Sequence, residues 1–412
     1  MTVIEFFDKA AIENVLSALL CGPDRVVFIG DSTKRMNRSL EAYREILAGR
    51  GLHVELLCHG VRKNNLKAIV EVLTAIVERE SDCVFNLDGG EDLYLVAVGM
   101  VAQKYPDRVR LHRFNVRSNS IVELGSDGTD RLSGPIALSI PENIRIYGGS
   151  VVGWDSHADG TVEWQFDEAF RQDLEAMWQI CRRDPKDWNN MINTLDCVSE
   201  RVAQPEGESF RADGKSARAA LKRTGDRYVV EPEILKALEK TGVIRNLRIW
   251  DDTVEFDFKN RQVRKCLTKA GQVLELVVHV AALDARDGDE KPMYNDVSSG
   301  VYIDWDARLE PDGQADVSNE IDVMMMKGAV PVFVSCKNGF VDVDELYKLS
   351  HVAHRFGGRY ARKVLVATRL DDQSSAKYIR ARAEDMGIRV IEDLQEMDPA
   401  QRCRLMAKLW NS

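Results

Sequence analysis

Short apolar runs recur through the first third of the chain and are separated by longer segments with helical spacing. The predicted strands are VVFIG at 26–30, HVELL at 53–57, CVFNL at 83–87 and VRLHRFNV from 109. The helices predicted around them span 38–49, 65–80 and 92–104. Buried strands that alternate with helices are typical of βαβ units around a parallel sheet. The pattern therefore predicts a Rossmann-like domain over residues 1–166.

The middle of the chain, residues 167–261, predicts a smaller linking region. Short strands at 144–147 and 161–166 precede it, and a helix at 167–182 opens it. The polar, turn-rich stretch that begins at Ser199 is interpreted as a mobile connection. A helix at 233–242 and a hairpin then form an element at 233–258 that resembles a winged helix. A spacer role is favoured for it, and DNA reading is the alternative.

Residues 262–412 predict a second α/β domain with a mixed sheet. The predicted order is helix 262–284, strands 301–305, 320–326 and 330–337, helix 342–356, strand 363–369, helix 373–386 and strand 389–392. Three meandering strands followed by alternating helices and strands are expected to give a sheet with both antiparallel and parallel pairs.

Composition narrows the class of protein. The length of 412 residues suggests two or three domains, and a composition of 44% hydrophobic and 30% charged residues is typical of a folded protein. The net charge of −10 does not favour non-specific adhesion to nucleic acid through bulk charge. No apolar run approaches the roughly 18 residues of a membrane span, and the acidic start is unlike a signal peptide, so we expect a cytoplasmic protein without a membrane partner. Eight cysteines without a C-x-x-C pair indicate neither a zinc ribbon nor a disulfide framework.

The residues that carry chemistry cluster in the last domain. Asp322 lies on the strand before a turn at Lys327-Gly328, and Lys337 ends the strand after it. A hairpin with this turn brings the two side chains into one pocket. Glu275 lies on a helix face that is otherwise apolar, where an unpaired carboxylate is costly and a metal ion would compensate it. An ordinary ion pair of Asp322 with Lys337, or of Glu275 with a nearby base, remains the alternative.

At this point the domain resembles the PD-(D/E)xK nuclease superfamily, with Asp322 and Lys337 at the positions of the family's aspartate and lysine. The resemblance implies that Glu275, Asp322 and the carbonyl of Cys336 coordinate Mn²⁺ or Mg²⁺, ions that prefer oxygen ligands. Lys337 would orient the attacking water or offset charge on the phosphate. Glu320 would bind a second ion or cap its strand. Ser335 departs from the family, because it stands where an acid is expected.

Basic residues surround the next helix and strand: Arg355, Arg359, Arg362, Lys363 and Arg369. They are either a surface that contacts a nucleic-acid backbone or, more often for such a run, a solvated face.

In the first domain, two polar loops follow neighbouring strands. Gly30 leads into Asp31, Ser32, Thr33 and Lys34, and the strand at 83–87 leads into Asp88, Gly89 and Gly90. Ligands of open α/β sheets bind where strands end, and glycines let a ligand approach the backbone. The sequence therefore predicts a ligand site at this edge.

The two ends together resemble the CRISPR-associated Rossmann fold (CARF) effectors, in which a CARF domain binds cyclic oligoadenylate and activates a nuclease. The resemblance implies a homodimer activated by cyclic tetra-adenylate that cleaves DNA, RNA or both in type III CRISPR antiviral defence. The acidic residues Asp88, Glu91 and Asp92 depart from the family's loop. Two alternatives stay open: a ligand-sensing DNA-binding regulator with a degenerate nuclease fold, and an ungated DNA-repair nuclease.

Overall fold

The N-terminal domain is a seven-stranded sheet covered by helices. The computed structural model of the protein describes residues 1–7, 11–124, 130–131, 134–153, 164–222, 227–307, 318–371 and 374–409. The strands are β1 (Thr2–Phe6), β2 (Arg25–Gly30), β3 (Glu55–Gly60), β4 (Cys83–Asn86), β5 (Val109–Asn115), β6 (Ser120–Glu123) and β7 (Asp130–Arg131). The helices are α1 (Leu16–Cys21), α2 (Thr33–Gly49), α3 (Leu66–Arg79) and α4 (Asp92–Lys104).

The predicted parallel sheet is confirmed, but its central strand was not predicted. The order is β3-β2-β1-β4-β5-β6-β7, and the pairs from β3 to β5 are parallel. β1 is buried along its whole length. Glu5 interrupts its short apolar run, and for this reason the segment was not predicted as a strand. Because β1 separates β2 from β4, the strand order reverses there, and the ends of β1, β2 and β4 lie at the edge where a ligand site is predicted.

The segment that follows β7 belongs partly to the other domain. The strand predicted at 144–147 is wrong, because Ile140–Ile146 forms helix α5, which a capping box of Ser139 and Glu142 begins. Strand β8 (Ser150–Gly153) pairs with the C-terminal sheet. This strand precedes the expected domain boundary at 166 and yet belongs to the C-terminal sheet. Part of the strand predicted at 161–166 lies outside the described residues.

A winged-helix arrangement occupies the middle of the chain, after helix α6 (Glu168–Cys181). Its elements are α7 (Pro185–Arg201), β9 (Ser209–Asp213), α8 (Gly214–Leu221), α9 (Pro232–Thr241), β10 (Ile244–Trp250) and β11 (Thr253–Phe258). The sheet order is β10-β11-β9. The mobile connection expected from Ser199 is wrong, because this stretch supplies β9 and α8, and Phe210 and Ala212 of β9 are buried.

The C-terminal domain has the mixed sheet that was expected. Its elements are α10 (Arg261–Leu267), α11 (Gln272–Leu283), β12 (Asp296–Asp304), β13 (Ser318–Lys327), β14 (Val330–Lys337), α12 (Val343–Gly357), β15 (Arg362–Ala367), α13 (Ala376–Asp385), β16 (Ile388–Ile391) and α14 (Pro399–Lys408). The order is β16-β15-β14-β13-β12-β8. The single helix predicted at 262–284 is two helices, since the chain turns at Gly271 with φ +86°.

One of the hydrophobic clusters of the protein extends across both α/β domains. A continuous cluster runs from Phe28 and Tyr43 in the N-terminal domain through Ile144 of α5 to Phe333 and Phe356 in the C-terminal domain. Burial on this scale stabilises a fixed contact between the domains. In the described part of the chain no single helix is long and apolar enough to cross a membrane, although the bent pair α10 and α11 passes by length and composition alone.

Candidate active site and N-terminal cavity

The predicted pocket at Asp322 forms where β13 and β14 separate. Regular pairing of the two strands reaches Val323 and Val334. Beyond that point, the Oδ2 atom of Asp322 accepts hydrogen bonds from the backbone N–H of Cys336 at 2.6 Å and from the Ser335 hydroxyl at 3.2 Å. The carboxylate therefore replaces a backbone acceptor of the neighbouring strand and is fixed against it.

Burial controls the protonation of Asp322. The side chain is half-buried, and loss of hydration raises the pKa of its carboxyl above the usual range. The Lys337 ammonium and the Cys336 N–H lower this pKa but do not cancel the effect of burial. The charged form of Asp322 is thus held at a cost, which a bound cation would remove.

Two carboxylates act on Lys337. Its Nζ is 3.0 Å from Oε2 of Glu345, in the first turn of α12, and the charge of Asp322 also acts on it. Burial lowers the pKa of Lys337, but Asp322 and Glu345 raise it by more, so the net shift is upward. Lys337 therefore remains an ammonium at neutral pH, which favours charge stabilisation over a role as a general base.

Glu275, whose charge also acts on Cys336, belongs to a second group of charged residues. Its side chain is buried in the first turn of α11, where the helix dipole favours a negative charge. Oε2 of Glu275 accepts a 3.3 Å hydrogen bond from Gln272 and lies 3.8 Å from Nζ of Lys269. The same Lys269 ammonium is 2.6 Å from Oε1 of Glu320. The ion pair that the sequence left as an alternative for Glu275 is therefore present.

Cys336 connects the two groups. Its thiol is buried, and burial together with the charges of Asp322 and Glu275 raises the thiol's pKa well above its usual value. Both carboxylates therefore lie near this one residue. Among the described residues, no three acidic, histidine or cysteine side chains lie close enough together to hold a metal ion. Two carboxylates nevertheless fit Mg²⁺, which keeps several water ligands. The metal set Glu275, Asp322 and Cys336 remains a prediction.

In the N-terminal domain, the residues of the first predicted loop serve mainly the start of α2. The Ser32 side chain caps α2 by accepting a 3.3 Å hydrogen bond from Arg35 N–H. Thr33 and Lys34 form the first turn and are exposed, as is Asp31. None of the four lines the large cavity of this domain.

The second predicted loop, Asp88–Gly90, does line that cavity. Both oxygens of the Asp88 carboxylate accept hydrogen bonds from Phe114 N–H, at 3.0 and 2.8 Å, so they fasten the loop to β5. Burial raises the pKa of Asp88 to about 6. Gly90 has φ +97°, and a Cβ there would lie 2.7 Å from Cβ of Phe6. Only glycine fits this turn without strain.

The cavity has a volume of about 890 Å³. We call it the N-terminal cavity; its polar lining includes the Asp88–Gly90 loop, Arg113, Asn115, Arg117, Ser118, Arg359 and Tyr360. Arg359 and Tyr360 come from the C-terminal domain. Sequence reasoning missed the hairpin of β5 and β6, although β5 ends at the same edge of the parallel sheet as β4.

The basic residues predicted as one surface are separated in the structure. Arg355 donates to the backbone carbonyls of Tyr147 and Trp305, and Lys363 donates to that of Met386. The Arg369 guanidinium lies over the Phe340 ring. Only Arg359 of this group reaches the N-terminal cavity.

Comparison with known proteins identifies a match for the C-terminal domain. Residues 262–402 match the family described as "Card1-like, endonuclease domain", so the C-terminal part carries an endonuclease domain of this type. No curated protein matches the chain.

Two solved structures share the fold over the whole chain. Protein VC1899 from Vibrio cholerae has a TM-score of 0.71 and 19% identity, covering 100% of this chain and 97% of that one. Can2 from Sulfobacillus thermosulfidooxidans, solved in complex with cyclic tetra-adenylate, has a TM-score of 0.66 and 16% identity, covering 100% and 99%. The predicted fold, a Rossmann-like α/β domain joined to a mixed α/β domain of endonuclease type, is therefore confirmed.

Proposed function

We propose that this protein is a metal-dependent nuclease gated by a nucleotide, with cyclic tetra-adenylate as the first candidate activator and type III CRISPR defence as its setting. The observation that carries the proposal is the contact of Asp322 with Cys336, beside Lys337, in a domain of the Card1-like endonuclease type. An acid and a cation lie there at the place where two strands stop pairing. This arrangement suits hydrolysis of a phosphodiester.

The residues divide the chemistry between them. Asp322 and Glu275 offer hard oxygen ligands for Mn²⁺ or Mg²⁺, with the Cys336 carbonyl as a further donor. When bound, such an ion neutralises the scissile phosphate and lowers the pKa of its water. Lys337, which stays protonated, stabilises the negative charge that develops on the phosphate. Glu320 holds the Lys269 ammonium beside Glu275.

The N-terminal cavity supports an anionic activator. Arg113 and Arg117 project from the hairpin of β5 and β6, and both are exposed. Guanidinium groups bind phosphates in a bidentate manner, and the Gly89-Gly90 pair lets a ligand approach the backbone. The volume of about 890 Å³ suits a cyclic oligonucleotide or part of one. A homodimer, in which each subunit supplies half of the ligand site, belongs to the same proposal.

A second candidate is a ligand-sensing, DNA-binding regulator with a degenerate nuclease fold. Two observations favour it: Ser335 places a hydroxyl where the nuclease superfamily has an acid, and α7 to β11 form a winged-helix arrangement. This candidate predicts sequence-specific DNA binding without cleavage. It also predicts that replacement of Asp322 leaves DNA binding unchanged.

The test is cleavage of supercoiled plasmid, single-stranded DNA and single-stranded RNA with Mn²⁺, with and without cyclic tetra-adenylate. Wild type is compared with Asp322→Ala and Lys337→Ala. Cleavage that the ligand stimulates and both substitutions abolish would support the gated nuclease and identify its substrate. Cleavage that is indifferent to ligand would leave an ungated repair nuclease. DNA binding by folded protein with no cleavage would favour the regulator.

A further inference from the structure

Helix α12 contacts both sites, one at each end. Its first turn carries Glu345, whose Oε2 atom is 3.0 Å from Nζ of Lys337. Its last residue, Gly357, leads directly into a 3-10 turn, Gly358–Tyr360, whose Arg359 and Tyr360 line the N-terminal cavity. At about 1.5 Å per residue, a helix of this length spans roughly 22 Å. One rigid element therefore connects the candidate nuclease site with the cavity.

At the cavity end, Arg359 and Tyr360 are engaged by a buried acid. Arg359 forms an ion pair with Glu13, whose side chain is only 2% exposed, whereas the side chain of Arg359 is 59% exposed. The Tyr360 hydroxyl donates to Oε1 of Glu13 at 2.9 Å and accepts from Nη2 of Arg359 at 2.9 Å. Nη2 of Arg359 also lies 3.3 Å from the backbone oxygen of Asp88.

The Arg359 guanidinium is exposed, so an anion that enters the cavity can reach it. Arg113 and Arg117 line the same space, so a ligand with several phosphates would be drawn towards all three positive charges. A phosphate that binds Arg359 competes with Glu13 for it. A buried carboxylate that loses its cation is destabilised, so the turn must rearrange with the ligand rather than stay in place.

The turn has little room to move without the helix. A Cβ at Gly357 would lie 2.7 Å from Cγ of Pro331 in β14, which shows how closely the backbone packs there. Gly358 adopts φ +55° against the Tyr147 hydroxyl. Asn143 of α5 donates a 2.7 Å hydrogen bond to the Phe356 backbone oxygen at the end of the helix. Close-packed contacts of this kind transmit a displacement instead of absorbing it.

From these contacts we infer that α12 and the Gly358–Tyr360 turn transmit ligand binding in the N-terminal cavity to Lys337. A phosphate-bearing ligand takes Arg359 from Glu13, the turn and helix shift together, and Glu345 changes its hold on Lys337. Arg359 is thus a ligand-reading residue supplied by the nuclease domain, and Glu345 is a positioning residue. The inference rests on the proposed function and adds the route of its regulation.

The test compares wild type with Arg359→Gln, Glu345→Gln and a control, Arg404→Gln, which removes an exposed arginine of α14. Binding of cyclic tetra-adenylate is measured by calorimetry. The stimulation ratio, defined as the cleavage rate with saturating ligand divided by that without, is measured with Mn²⁺.

We expect Arg359→Gln to reduce the stimulation ratio at saturating ligand at least about tenfold, a typical size for an allosteric coupling. Because coupling between two sites is reciprocal, Glu345→Gln should change the ligand affinity severalfold although Glu345 lies at the far end of α12. Arg404→Gln should match wild type in both readouts. Lys348→Gln removes the other lysine that pairs with Glu345. It tests whether a change of charge beside Glu345 is by itself enough to alter the ligand affinity.

Two different failures are distinguishable. If wild type binds the ligand and is stimulated by it, and Arg359→Gln and Glu345→Gln retain the full stimulation ratio and affinity, the α12 route is wrong while the gated nuclease stands. If wild type shows neither binding nor stimulation, the proposed activation fails and the inference falls with it.

Discussion

The Asp322 carboxylate accepts a 2.6 Å hydrogen bond from the backbone N–H of Cys336 on the adjacent strand. The strands stop pairing regularly at this place, so an acid is held at the opening between them. Its surroundings disfavour its charge, because burial raises the pKa of its carboxyl. This contact links the fold to the proposed chemistry.

The first prediction concerns stability and pH. Asp322 has a raised pKa in the folded protein, so its ionisation costs stability above that pKa and costs nothing at pH values low enough to protonate it. Asp322→Asn should therefore raise the melting temperature in EDTA at pH 8, and the difference from wild type should vanish as the pH falls towards 4. Thermal unfolding at several pH values measures this.

Addition of Mn²⁺ should reverse the order of the melting temperatures found in EDTA, so that wild type unfolds at a higher temperature than Asp322→Asn. A cation that binds Asp322 stabilises the folded wild type by mass action, and the asparagine variant loses most of this gain. A melting temperature that responds equally to Mn²⁺ in both proteins would place the metal elsewhere.

The second prediction concerns Ser335, which stands where the nuclease superfamily has an acid. The Ser335 hydroxyl already points at Asp322 across 3.2 Å, so Ser335→Glu should add an oxygen ligand at the same site. We expect the concentration of Mg²⁺ that gives half-maximal cleavage to fall at least about tenfold, the scale of a ligand-shell change. Ser335→Ala, which removes the hydroxyl without adding charge, is the control and should leave the Mg²⁺ requirement within a few-fold of wild type. An unchanged Mg²⁺ requirement in Ser335→Glu would count against the metal position.

The third prediction concerns the Gly-Gly loop. Gly90→Ala puts a Cβ 2.7 Å from Phe6 at φ +97°, so it should destabilise the domain by about 1–3 kcal/mol and weaken binding of cyclic tetra-adenylate. Gly99→Ala is the matched control, because this glycine lies in α4 with nothing within 4 Å of the added Cβ. It should stabilise the protein by about 0.5–1 kcal/mol and leave binding unchanged. Equal ligand affinity in both variants would remove the loop from the ligand site.

The placement of Asp322 beside Lys337 could be predicted because both lie on one hairpin. The turn at Lys327-Gly328 fixes the register, so counting positions along two adjacent strands was sufficient. The four parallel strands of the first domain that were predicted were recognisable because their short, mainly apolar runs alternate with segments of helix length. Glu275 was placed on its helix correctly, but the break at Gly271, which puts it in the first turn, was missed.

What could not be predicted depends on contacts between distant parts of the chain. β1 is short and carries a buried acid, and only its position between β2 and β4 explains why it is a strand. The Arg359 contact with Glu13 joins residues from the two ends of the chain. No local pattern of apolar and polar residues indicates such a contact, so Arg359 was grouped with basic neighbours whose contacts are different.

The proposed gated nuclease with its active site at Asp322 is tested most directly by the rate of Mn²⁺-dependent cleavage. This rate is measured with and without cyclic tetra-adenylate in wild type and Asp322→Asn. Asp385→Asn, on the exposed side of α13, is the matched control. We expect ligand to accelerate cleavage by wild type and by Asp385→Asn, and we expect Asp322→Asn to lose at least about 100-fold in rate with ligand bound. Ligand-stimulated cleavage by Asp322→Asn at the wild-type rate would contradict this proposal.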